Sequence, residues 1–433
     1  MSGPPFQPRI AIVGGGPAGL ALGLLLHHRG IPATVYERRN KPTAESLAPP
    51  SGMLDLHAES GQAVLRECGL WDAFQAALGD CSEATRVLDS RGAILYTDEG
   101  ELASRPEIPR NALTQLLLQE MPPNTVRWGH RVTAAETSRN AATGAVEITL
   151  TLGPEHGRAT HDLVVGADGA WSRVRSLLLP DAAAPAYSGA NMLTATVRHA
   201  SANYPHLVEL CGSGTVMALG GGHVITTHRG PQDSICVYAA VRTPDEHWAA
   251  TRGLAGTTAA EVKDVLLADV GLFGAWSAPL RELVGVACDE ETRDNADGAA
   301  DLKPLYMLPV GHNWAHRVAV TLLGDAAHLM TPWAGEGVNL ALWDALDLAG
   351  ALSDEAVSGG NHAGAAEWQA ALDPRLREFE EAMLRRAAEK AELTARNKDL
   401  MLSENGAQAL ADLFSSFGGA APPGAPPEGE GSN

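Results

Sequence analysis

Short apolar runs alternate with a helical pattern near the start of the chain. The runs at residues 10–13 and 33–36 predict two buried strands. Between them, a helical segment begins at Pro17, a residue favoured in the first turn of a helix, and Gly30 can end it. This order of strand, helix and strand is typical of a parallel βαβ unit.

The rest of the chain divides into further α/β elements, a β-rich segment and a helical end. Helical spacing occurs at 60–79 and 110–121, and alternation at 145–152 predicts a strand. From about residue 185, short β-type runs lie between glycine turns, with a helical insert near 257–270. We therefore predict an α/β fold with a Rossmann-type domain, an inserted β-sheet domain and a long C-terminal helix. The predicted boundaries are 8–184 and 311–373 for the first domain, 185–310 for the second, 374–415 for the helix, and 418–433 for a disordered tail.

Composition and charge narrow the range of partners. The 433 residues include 52 acidic and 32 basic side chains, and the net charge of −20 disfavours nucleic acid and anionic membranes. No apolar run reaches the roughly 18 residues that span a bilayer, and the start MSGPPFQPR has no apolar signal region. The five cysteines are scattered and form no C-x-x-C pair, so we expect no metal site, no disulfide and a cytoplasmic location.

The first glycine cluster fits a dinucleotide-binding turn. Gly14, Gly16 and Gly19 satisfy the G-x-G-x-x-G template, and Glu37 ends the second strand 18 residues after Gly19. Gly14 permits the tight turn, Gly16 lets the backbone approach a pyrophosphate, and Gly19 lets helix and strand pack closely. The phosphates would lie at the helix N-terminus, where free N–H groups favour anions. This segment alone leaves NAD and FAD open as the dinucleotide.

Two carboxylates follow buried strands farther along the chain. Asp168 comes after DLVVGA, and Asp325 comes after VTLLG. A carboxylate at the end of a parallel strand lies where open α/β sheets bind ligands, and it needs hydrogen-bond donors there. Gly335 and Gly337 lack a Cβ, so a flat ring could lie against the backbone, and the helix predicted from Val338 would point its positive end at that ring. The alternative for Asp325 is an N-cap of the following helix.

Three segments together resemble a known family. GGGPAG with VYER, DLVVGADGAWSRVR and LLGDAAHLMTPWAGEGVNLAL are similar to motifs of the flavoprotein aromatic hydroxylases typified by p-hydroxybenzoate hydroxylase. Within that family, GMLDLHAESGQAVLRECGL, PEIPRNALTQLLL and RTPDEHW resemble segments of the tetracycline-inactivating flavin monooxygenases. The likeness runs from about residue 8 to about residue 415. It implies that the Rossmann-type domain binds FAD, that the inserted sheet binds substrate, and that the C-terminal helix braces both domains.

The resemblance also implies an activity. FAD would bind non-covalently, NADPH or NADH would reduce it, and one atom of O2 would be transferred to an electron-rich carbon of an aromatic or polycyclic small molecule. Carried over by motif, Glu37 and Arg38 would flank the adenosine ribose, and Asp55 and Arg110 would contact FAD. The resemblance assigns further residues to the cofactor, namely Gly14, Gly16, Gly19, Asp168, Asp325 (at the ribityl or pyrophosphate portion), Pro332, Gly335, Gly337, Val338 and Asn339.

The substrate residues depart from the tetracycline-inactivating enzymes. By an ungapped alignment, the drug-binding places fall on Thr194, Thr215, Cys236 and Tyr238. Where those enzymes carry Gln or Arg, this chain carries a short hydroxyl, and losing such a hydrogen bond costs roughly 1.5–3 kcal/mol. Ala48 stands near the place of an NADPH-contacting Arg. We therefore expect a substrate other than tetracycline, with NADH and NADPH both open.

Other functions are open on the same scaffold: a flavin-dependent reductase or dehydrogenase, a tetracycline-inactivating monooxygenase proper, or a non-catalytic flavoprotein that sequesters a ligand. No residue is singled out as a catalytic acid or base. His328 is expected to hold its own loop, and a monomer is expected. Four side chains are expected either to line an apolar pocket or to be ordinary core, namely Met217, Met330, Trp333 and Tyr238.

Overall fold

The computed structural model describes residues 6–78, 82–100, 106–294, 298–359 and 362–417. The strands within them are β1 (Ile10–Val13), β2 (Ala33–Glu37), β3 (Met53–Asp55), β4 (Thr85–Asp89), β5 (Ile94–Asp98), β6 (Glu107–Pro109), β7 (Val126–Trp128), β8 (Ala134–Arg139), β9 (Val146–Thr151), β10 (Arg158–His161), β11 (Leu163–Gly166), β12 (Ala186–Val197), β13 (Thr215–Gly220), β14 (His223–Gly230), β15 (Ser234–Arg242), β16 (Asp301–Met307) and β17 (Val320–Leu322).

The helices are α1 (Pro17–His28), α2 (Ala44–Leu47), α3 (Gly61–Glu67), α4 (Trp71–Ala76), α5 (Arg110–Gln119), α6 (Arg173–Leu178), α7 (Ala200–Asn203), α8 (Pro205–Cys211), α9 (Trp248–Thr251), α10 (Ala259–Ala268), α11 (Ala278–Asp294), α12 (Asp325–His328), α13 (Gly337–Ser353), α14 (Glu355–Ser358), α15 (Ala365–Met401) and α16 (Gly406–Ser416). A 3-10 turn covers Pro332–Ala334. In the described part of the chain, none of these helices has both the length and the apolarity of a membrane span.

A parallel sheet of five strands forms the first domain. Its order is β17–β11–β1–β2–β7, and every neighbouring pair is parallel. α1 packs beside α13, and its residues from Leu20 to Leu26 are all buried. A helix covered on several sides needs apolar residues around most of its surface, which is why α1 shows no narrow apolar stripe. The predicted βαβ unit is confirmed.

Strands from both ends of the chain meet in this sheet. β11 lies between β1 and β17 and pairs in parallel with each of them. The carboxyl ends of these three strands therefore lie at one edge of the sheet, where open α/β sheets bind ligands. The loops that follow them carry Gly14, Asp168 and Asp325, so residues far apart in sequence reach the same edge.

A second sheet has seven strands in the order β16–β12–β15–β14–β13–β4–β5. Most of it comes from the predicted insert at 185–310. β4 and β5 precede the insert, and β4 pairs in parallel with β13, so the predicted boundary of the first domain has to be corrected for these two strands. Local patterning indicates that a strand exists, but it does not say with which distant strand it pairs.

The two faces of the second sheet are covered differently. One face packs on α8–α11 through a core that includes Leu193, Val237 and Phe273. The opposite face is covered at one end by α16 and the end of α15, through residues such as Leu219 and Leu410. The remainder of this second face is turned towards the first domain, and it is called the open face below.

The long helix α15 begins before its predicted start at residue 374 and continues through Pro374. Trp368 is buried in the core of the first domain, and this burial outweighs the backbone hydrogen bond that Pro374 cannot donate. Near the other end, Met401 belongs to the core beside the second sheet. The helix therefore contacts both domains. The predicted tail at 418–433 lies outside the described residues.

Candidate cofactor and substrate site

The glycine turn after β1 is shaped by close backbone contacts. Gly14 has a φ of +114°, and a Cβ there would lie 2.2 Å from the carbonyl oxygen of Ala167. A Cβ on Gly19 would lie 2.0 Å from the carbonyl oxygen of Gly14. A Cβ on Gly16 would meet no atom within 4 Å. Protein packing thus requires glycine at two of these positions, whereas Gly16 faces free space at the N-terminus of α1, as a pyrophosphate cradle requires.

Glu37, at the end of β2, is buried and held by local donors. Its Oε2 accepts a hydrogen bond from the Gly15 N–H at 2.7 Å, and its Oε1 accepts from the N–H and Nε of Arg39 at 2.8 and 2.9 Å. Burial raises the pKa of this carboxyl, but these bonds outweigh burial and leave the pKa below its usual range. Arg39 therefore contacts Glu37, whereas the predicted ribose residue Arg38 is exposed beside it.

Asp325 combines accessibility with strong desolvation. Its side chain is exposed to solvent, yet surrounding protein raises the pKa of its carboxyl by desolvation, against the smaller influence of the positive charges of His328 and Arg110. A carboxyl that is both accessible and enclosed lines a cleft within the protein. The N-cap residue of α12 is Gly324, and no side chain caps this helix. The alternative prediction, that Asp325 is the N-cap, is therefore wrong. The carboxylate stays available to a ligand.

The loop that carries Asp325 is anchored by Asp344 of α13. Asp344 Oδ2 accepts hydrogen bonds from the Gly324 N–H at 3.0 Å and from His328 Nε2 at 2.5 Å, and Arg386 of α15 contacts Oδ1 at 3.4 Å. Burial lowers the pKa of His328, but Asp344 more than offsets this, so the pKa lies above its usual 6.5. His328 thus holds its own loop, as expected. Nothing in the sequence pattern pointed to Asp344.

Asp168, after β11, has a structural use for its carboxylate. It accepts hydrogen bonds from the Ser172 hydroxyl at 2.5 Å and from the N–H groups of Arg173 and Val174 at 2.6 and 3.3 Å. Desolvation nevertheless leaves the pKa of this carboxyl raised. These bonds cap the N-terminus of α6. The assignment of Asp168 to the cofactor stays a prediction, because its oxygens already have partners.

The segment from Pro332 to Asn339 connects the two ends of the site. Gly335 has a φ of +68°, and a Cβ there would lie 3.6 Å from Asp55 Oδ1. The Asn339 amide ties the start of α13 to the strand β3: its Nδ2 donates to the Asp55 carbonyl at 2.9 Å, and its Oδ1 accepts from the His57 N–H at 2.9 Å. Asn339 therefore positions Asp55. Pro332 and Gly335 are exposed, and Gly337 and Val338 are half-buried.

A buried acid sits between the two glycines of this segment. Glu336 Oε1 pairs with Lys390 Nζ of α15 at 2.5 Å, and its Oε2 lies 3.8 Å from His57 Nδ1. His57 in turn contacts Asp55 Oδ2 through Nε2 at 3.0 Å. These contacts fix the backbone around Gly335 and Gly337 from both sides. The N–H groups of the first turn of α13 then point towards the space beside Asp55.

The open face of the second sheet contains one row of half-buried residues. Strand register places Thr194 beside Tyr238, Tyr238 beside Thr226, and Thr226 beside Met217. All four are half-buried, as are Met192, Thr215 and His228 in the adjoining rows of the same face, whereas Ala240 and Cys236 are buried. We call these four residues the window. It is the part of the face that a ligand in the cleft could reach.

The window adjoins the cofactor side of the cleft. A Cβ on Gly52 would lie 2.7 Å from the Tyr238 hydroxyl, so the chain leading into β3 passes directly over that side chain. Burial is the main reason that the pKa of Tyr238 is raised, and the charge of Arg110 acts in the opposite direction. Arg110 also influences Asp325. Tyr238, Arg110 and Asp325 therefore lie within electrostatic reach of one another.

Two of the four predicted substrate residues do not face the window. Cys236 is 2% exposed, its Sγ lies 3.5 Å from the carbonyl oxygen of Ser51, and burial raises the pKa of its thiol to about 12. The Thr215 hydroxyl lies 3.1 Å from His228 Nδ1 and has its partner there. We therefore correct the prediction for Cys236, whose side chain is fully buried under the chain before β3, whereas Tyr238, under the same chain, is half-buried. The assignment of Thr194 and Tyr238 to the substrate stays a prediction.

Three residues that the sequence did not assign to the substrate lie in or beside the window. Thr226 lies next to Tyr238 in register, and Met192 neighbours Lys303 at the edge of the open face. Trp333, in the 3-10 turn, packs against the same hydrophobic cluster as Met192. Only the strand register reveals the first two. For Trp333, the sequence predicted either a pocket residue or a core residue. Met330, for which the same alternatives were predicted, has its sulfur in contact with the Thr394 hydroxyl of α15. Within the described residues, no group of three potential metal ligands occurs.

Comparison with known proteins agrees with this arrangement. The family described as FAD binding domain matches residues 8–211 and 310–366, which is more than half of the chain. The monooxygenase asqM of Emericella nidulans is 35% identical to the chain over 94% of its length and 98% of the relative.

Solved structures share the fold. HpxO of Klebsiella pneumoniae, solved with FAD and uric acid, superposes with a TM-score of 0.70 at 19% identity, covering 94% of this chain and 92% of that one. The tetracycline destructase Tet(51) superposes with a TM-score of 0.63 at 18% identity, covering 96% and 98% of the two chains. On the evidence of the family match, the extent of identity to asqM and the geometry of the cleft, the chain belongs to the FAD-binding-domain family and is an FAD-dependent monooxygenase.

Proposed function

We propose that the protein uses NAD(P)H and O2 to hydroxylate an aromatic small molecule, held between the window and the segment 332–339. One observation carries this proposal. Asp325 is accessible but enclosed at the edge where the ends of β1, β11 and β17 meet, opposite the positive charge of Arg110. A desolvated carboxylate without a protein donor is costly unless a ligand supplies hydroxyl groups.

Residues of the chain are available for each part of FAD, from the adenosine ribose to the flavin ring. The free space at Gly16 and the N-terminus of α1 would hold the pyrophosphate. Glu37 would take the adenosine ribose, with Arg39 beside it in preference to Arg38. Asp325 would accept hydrogen bonds from the ribityl hydroxyls, and the backbone at Gly335, Gly337 and Val338 would lie against the flavin ring, next to Asp55 and Pro332.

FAD supplies the redox chemistry, namely electron transfer from NAD(P)H and the activation of O2. The chain contributes position and charge. Lys390, Glu336 and His57 hold the glycine segment in place, and the free N–H groups of α13 favour negative charge beside it. Thr194, Tyr238 and the other window residues orient the ring to be oxidised and keep water from it.

An aromatic substrate agrees with the chemistry of the window and with a structural relative. HpxO is described with uric acid, a flat heteroaromatic molecule. Tetracycline itself is a weaker candidate, because short hydroxyls occupy the places at which tetracycline-inactivating enzymes carry Gln or Arg. The case against tetracycline is stronger at Thr215, because its hydroxyl already forms a hydrogen bond with His228.

The test uses the purified full-length chain. A yellow chromophore with the spectrum of FAD should copurify with the protein. Release of that FAD when the protein is denatured would show that it is bound non-covalently. Aromatic and polycyclic phenols, indoles and tetracyclines are then screened for stimulated NAD(P)H consumption, with NADH and NADPH compared directly. A product heavier by one oxygen atom supports hydroxylation, whereas a product with only a changed hydrogen count supports the flavin-dependent reductase or dehydrogenase.

We also propose that the protein acts as a monomer in the cytoplasm. The described cysteines Cys68, Cys211, Cys236 and Cys288 are free and buried, which suits a reducing compartment. Light scattering of the FAD-loaded chain tests the monomer, and localisation of a tagged chain in its host tests the compartment.

A further inference from the structure

Trp333 carries a hydrogen-bond donor that has no acceptor. Its Nε1 is buried and has no partner among the described residues. Its backbone carbonyl accepts a hydrogen bond from Asn397 Nδ2 of α15 at 3.0 Å, so the turn that bears the ring is fixed. A buried N–H without an acceptor costs about 1–3 kcal/mol. A ligand that placed an acceptor at Nε1 would recover that free energy.

The window adds two hydroxyls on half-buried side chains. Thr194 and Thr226 flank Tyr238 on the open face, and both are half-buried. Neither side chain makes a hydrogen bond within the part of the chain that the structure describes. Hydroxyls that face a cleft without partners suit a ligand with polar edge atoms. The apolar Met217 in the same row suits the face of an aromatic ring.

Charge around the window does not suit a carboxylate ligand. Arg242, on the same face, donates from Nη1 to the Leu402 carbonyl at 3.1 Å, and Lys303 pairs with Asp301 at 2.5 Å. Each cation is thus already engaged. Arg110 is exposed, and its charge acts on both Asp325 and Tyr238, so a ligand carboxylate would share this cation with Asp325.

A negative charge also lies beside the window. Glu107 Oε2 is buried without a hydrogen-bond partner among the described residues, 3.8 Å from His228 Nδ1. Its charge acts on Tyr238 in the direction that keeps the phenol protonated. Any charge on His228 is balanced by Glu107. A ligand carboxylate brought to Tyr238 would meet the repulsion of Glu107, and the two cations of the sheet itself, Arg242 and Lys303, already have partners.

We propose that the substrate is an uncharged aromatic molecule with a carbonyl oxygen, that this oxygen accepts a hydrogen bond from Trp333 Nε1, and that aromatic carboxylates are discriminated against. Trp333 is then a specificity-determining residue. Thr194 and Thr226 bind the polar edge of the same ring. This inference rests on the proposed function, since it takes the window to be the substrate site.

The test measures binding, without turnover, by perturbation of the flavin absorbance in the FAD-loaded full chain. Three probes share one ring: ortho-hydroxyacetophenone has a neutral carbonyl, salicylate has a carboxylate, and ortho-ethylphenol has neither. We expect the ketone to bind about tenfold or more tightly than either of the others, as one recovered hydrogen bond allows. Equal binding of all three, or no binding of any, overturns the inference.

Trp333→Phe removes the donor and keeps an aromatic ring. We expect it to lower the affinity for the ketone to that for ortho-ethylphenol, with the affinity for ortho-ethylphenol and for FAD unchanged. Trp71→Phe, the same change in the distant helix α4, should leave the ketone preference intact. If Trp333→Phe weakens FAD binding and spares the ketone, the acceptor is the cofactor and the inference is wrong.

Two outcomes separate this inference from the proposed function. If the chain binds no FAD, or no probe or screened compound is oxygenated, the proposed function fails before the ketone preference is considered. If the enzyme oxygenates an aromatic carboxylate and binds salicylate as tightly as the ketone, the proposed function stands. In that case Trp333 is not the specificity residue, and Arg110 becomes the candidate partner of the carboxylate.

Discussion

The cofactor edge and the window differ in how far their polar groups are already paired. At the cofactor edge, Asp168, Glu37 and Asp344 each accept hydrogen bonds from two or more protein donors. In the window, the Thr194 and Thr226 hydroxyls have no such partners in the described chain. The first region is therefore held together by the protein itself. If the second binds the substrate as proposed, its hydroxyls can be changed without loss of the fold.

Asp325 is the exception at the cofactor edge, because its carboxylate accepts no hydrogen bond from the described residues and its pKa is raised by desolvation. Asp325 therefore allows paired and unpaired polar groups to be compared within the same region. Changes at paired groups should reduce the stability of the protein alone, and changes at unpaired groups should reduce only ligand binding.

The largest effect is expected from Gly14→Ala. The added Cβ would lie 2.2 Å from the Ala167 carbonyl at a φ of +114°, so the turn cannot form without displacement of backbone. We expect FAD retention to be lost and the free energy of unfolding to fall by about 3 kcal/mol or more. Gly16→Ala is the matched control, since its Cβ meets no atom within 4 Å. It should leave the FAD-free protein as stable as the parent and weaken only FAD binding, as measured by denaturation and by flavin titration.

The next largest effect is expected from His328→Gln, and it depends on pH. Because the folded pKa of His328 lies above its usual 6.5, its stabilising charge is fully present below that value and is lost as pH rises through the folded pKa. The variant should lose about 3 kcal/mol of unfolding free energy at low pH, since Asp344 loses a buried cationic partner. The difference from the parent should shrink towards alkaline pH. A difference that stays constant with pH, in urea denaturation at several pH values, would contradict a charged His328.

Asp325→Asn should separate binding from stability. Loss of charge-assisted hydrogen bonds to FAD should lower FAD affinity by about tenfold to a hundredfold. Without FAD the variant should be at least as stable as the parent at neutral pH. The raised pKa of Asp325 means that its ionised form is disfavoured in the folded state, and Asn removes that cost.

Asp168→Asn is the contrasting change. The pKa of Asp168 is raised as well, but both of its oxygens accept hydrogen bonds, and Asn replaces one of these acceptors with an NH2 group. We expect the loss at the cap of α6 to outweigh the relief of desolvation and to lower the unfolding free energy by about 1 kcal/mol in the FAD-free protein. Flavin fluorescence titration and denaturation of both variants give the two readouts. If Asp325→Asn destabilises the FAD-free protein as much as Asp168→Asn does, Asp325 is a structural residue and the distinction fails.

The smallest effect is expected from Thr194→Val, which replaces an unpaired hydroxyl with a methyl group of similar size. The unfolding free energy should change by less than about 0.5 kcal/mol, and the KM for substrate should rise a few-fold while kcat is nearly unchanged. Thr321→Val is the paired counterpart, because the Thr321 hydroxyl donates to Glu380 Oε1 at 2.8 Å in the core. In thermal denaturation, the melting temperature should fall clearly for Thr321→Val and stay nearly unchanged for Thr194→Val.

Much of the cofactor side could be predicted from the sequence, because its signals are local. The glycine spacing, the apolar strands and the terminal acids each act within a few residues. Even there, the prediction missed Arg39 as the contact of Glu37 and the use of Asp168 as a helix cap. Which neighbouring side chain reaches a carboxylate depends on rotamers and loop paths rather than on spacing.

The substrate side was less predictable. An ungapped alignment selected Thr194 and Tyr238, which are neighbours in the window, but it also selected Cys236, which the chain before β3 covers. Thr226 was missed because nothing in its own segment marks it, and its position follows from pairing with Tyr238. β4 and β5 were assigned to the wrong domain for the same reason, since strand partners distant in sequence are chosen by the assembled sheet.

The sequence by itself determined the βαβ unit, the family and the positions where a Cβ cannot be accommodated, because backbone sterics and hydrophobic periodicity operate over short stretches of chain. Only the tertiary structure decided which polar groups are paired and which are left free, as with Asp344 against Asp325 and Thr215 against Thr194. The physical reason is that a hydrogen bond needs two groups within about 3 Å, and distant segments reach that separation only after the sheets have formed and packed.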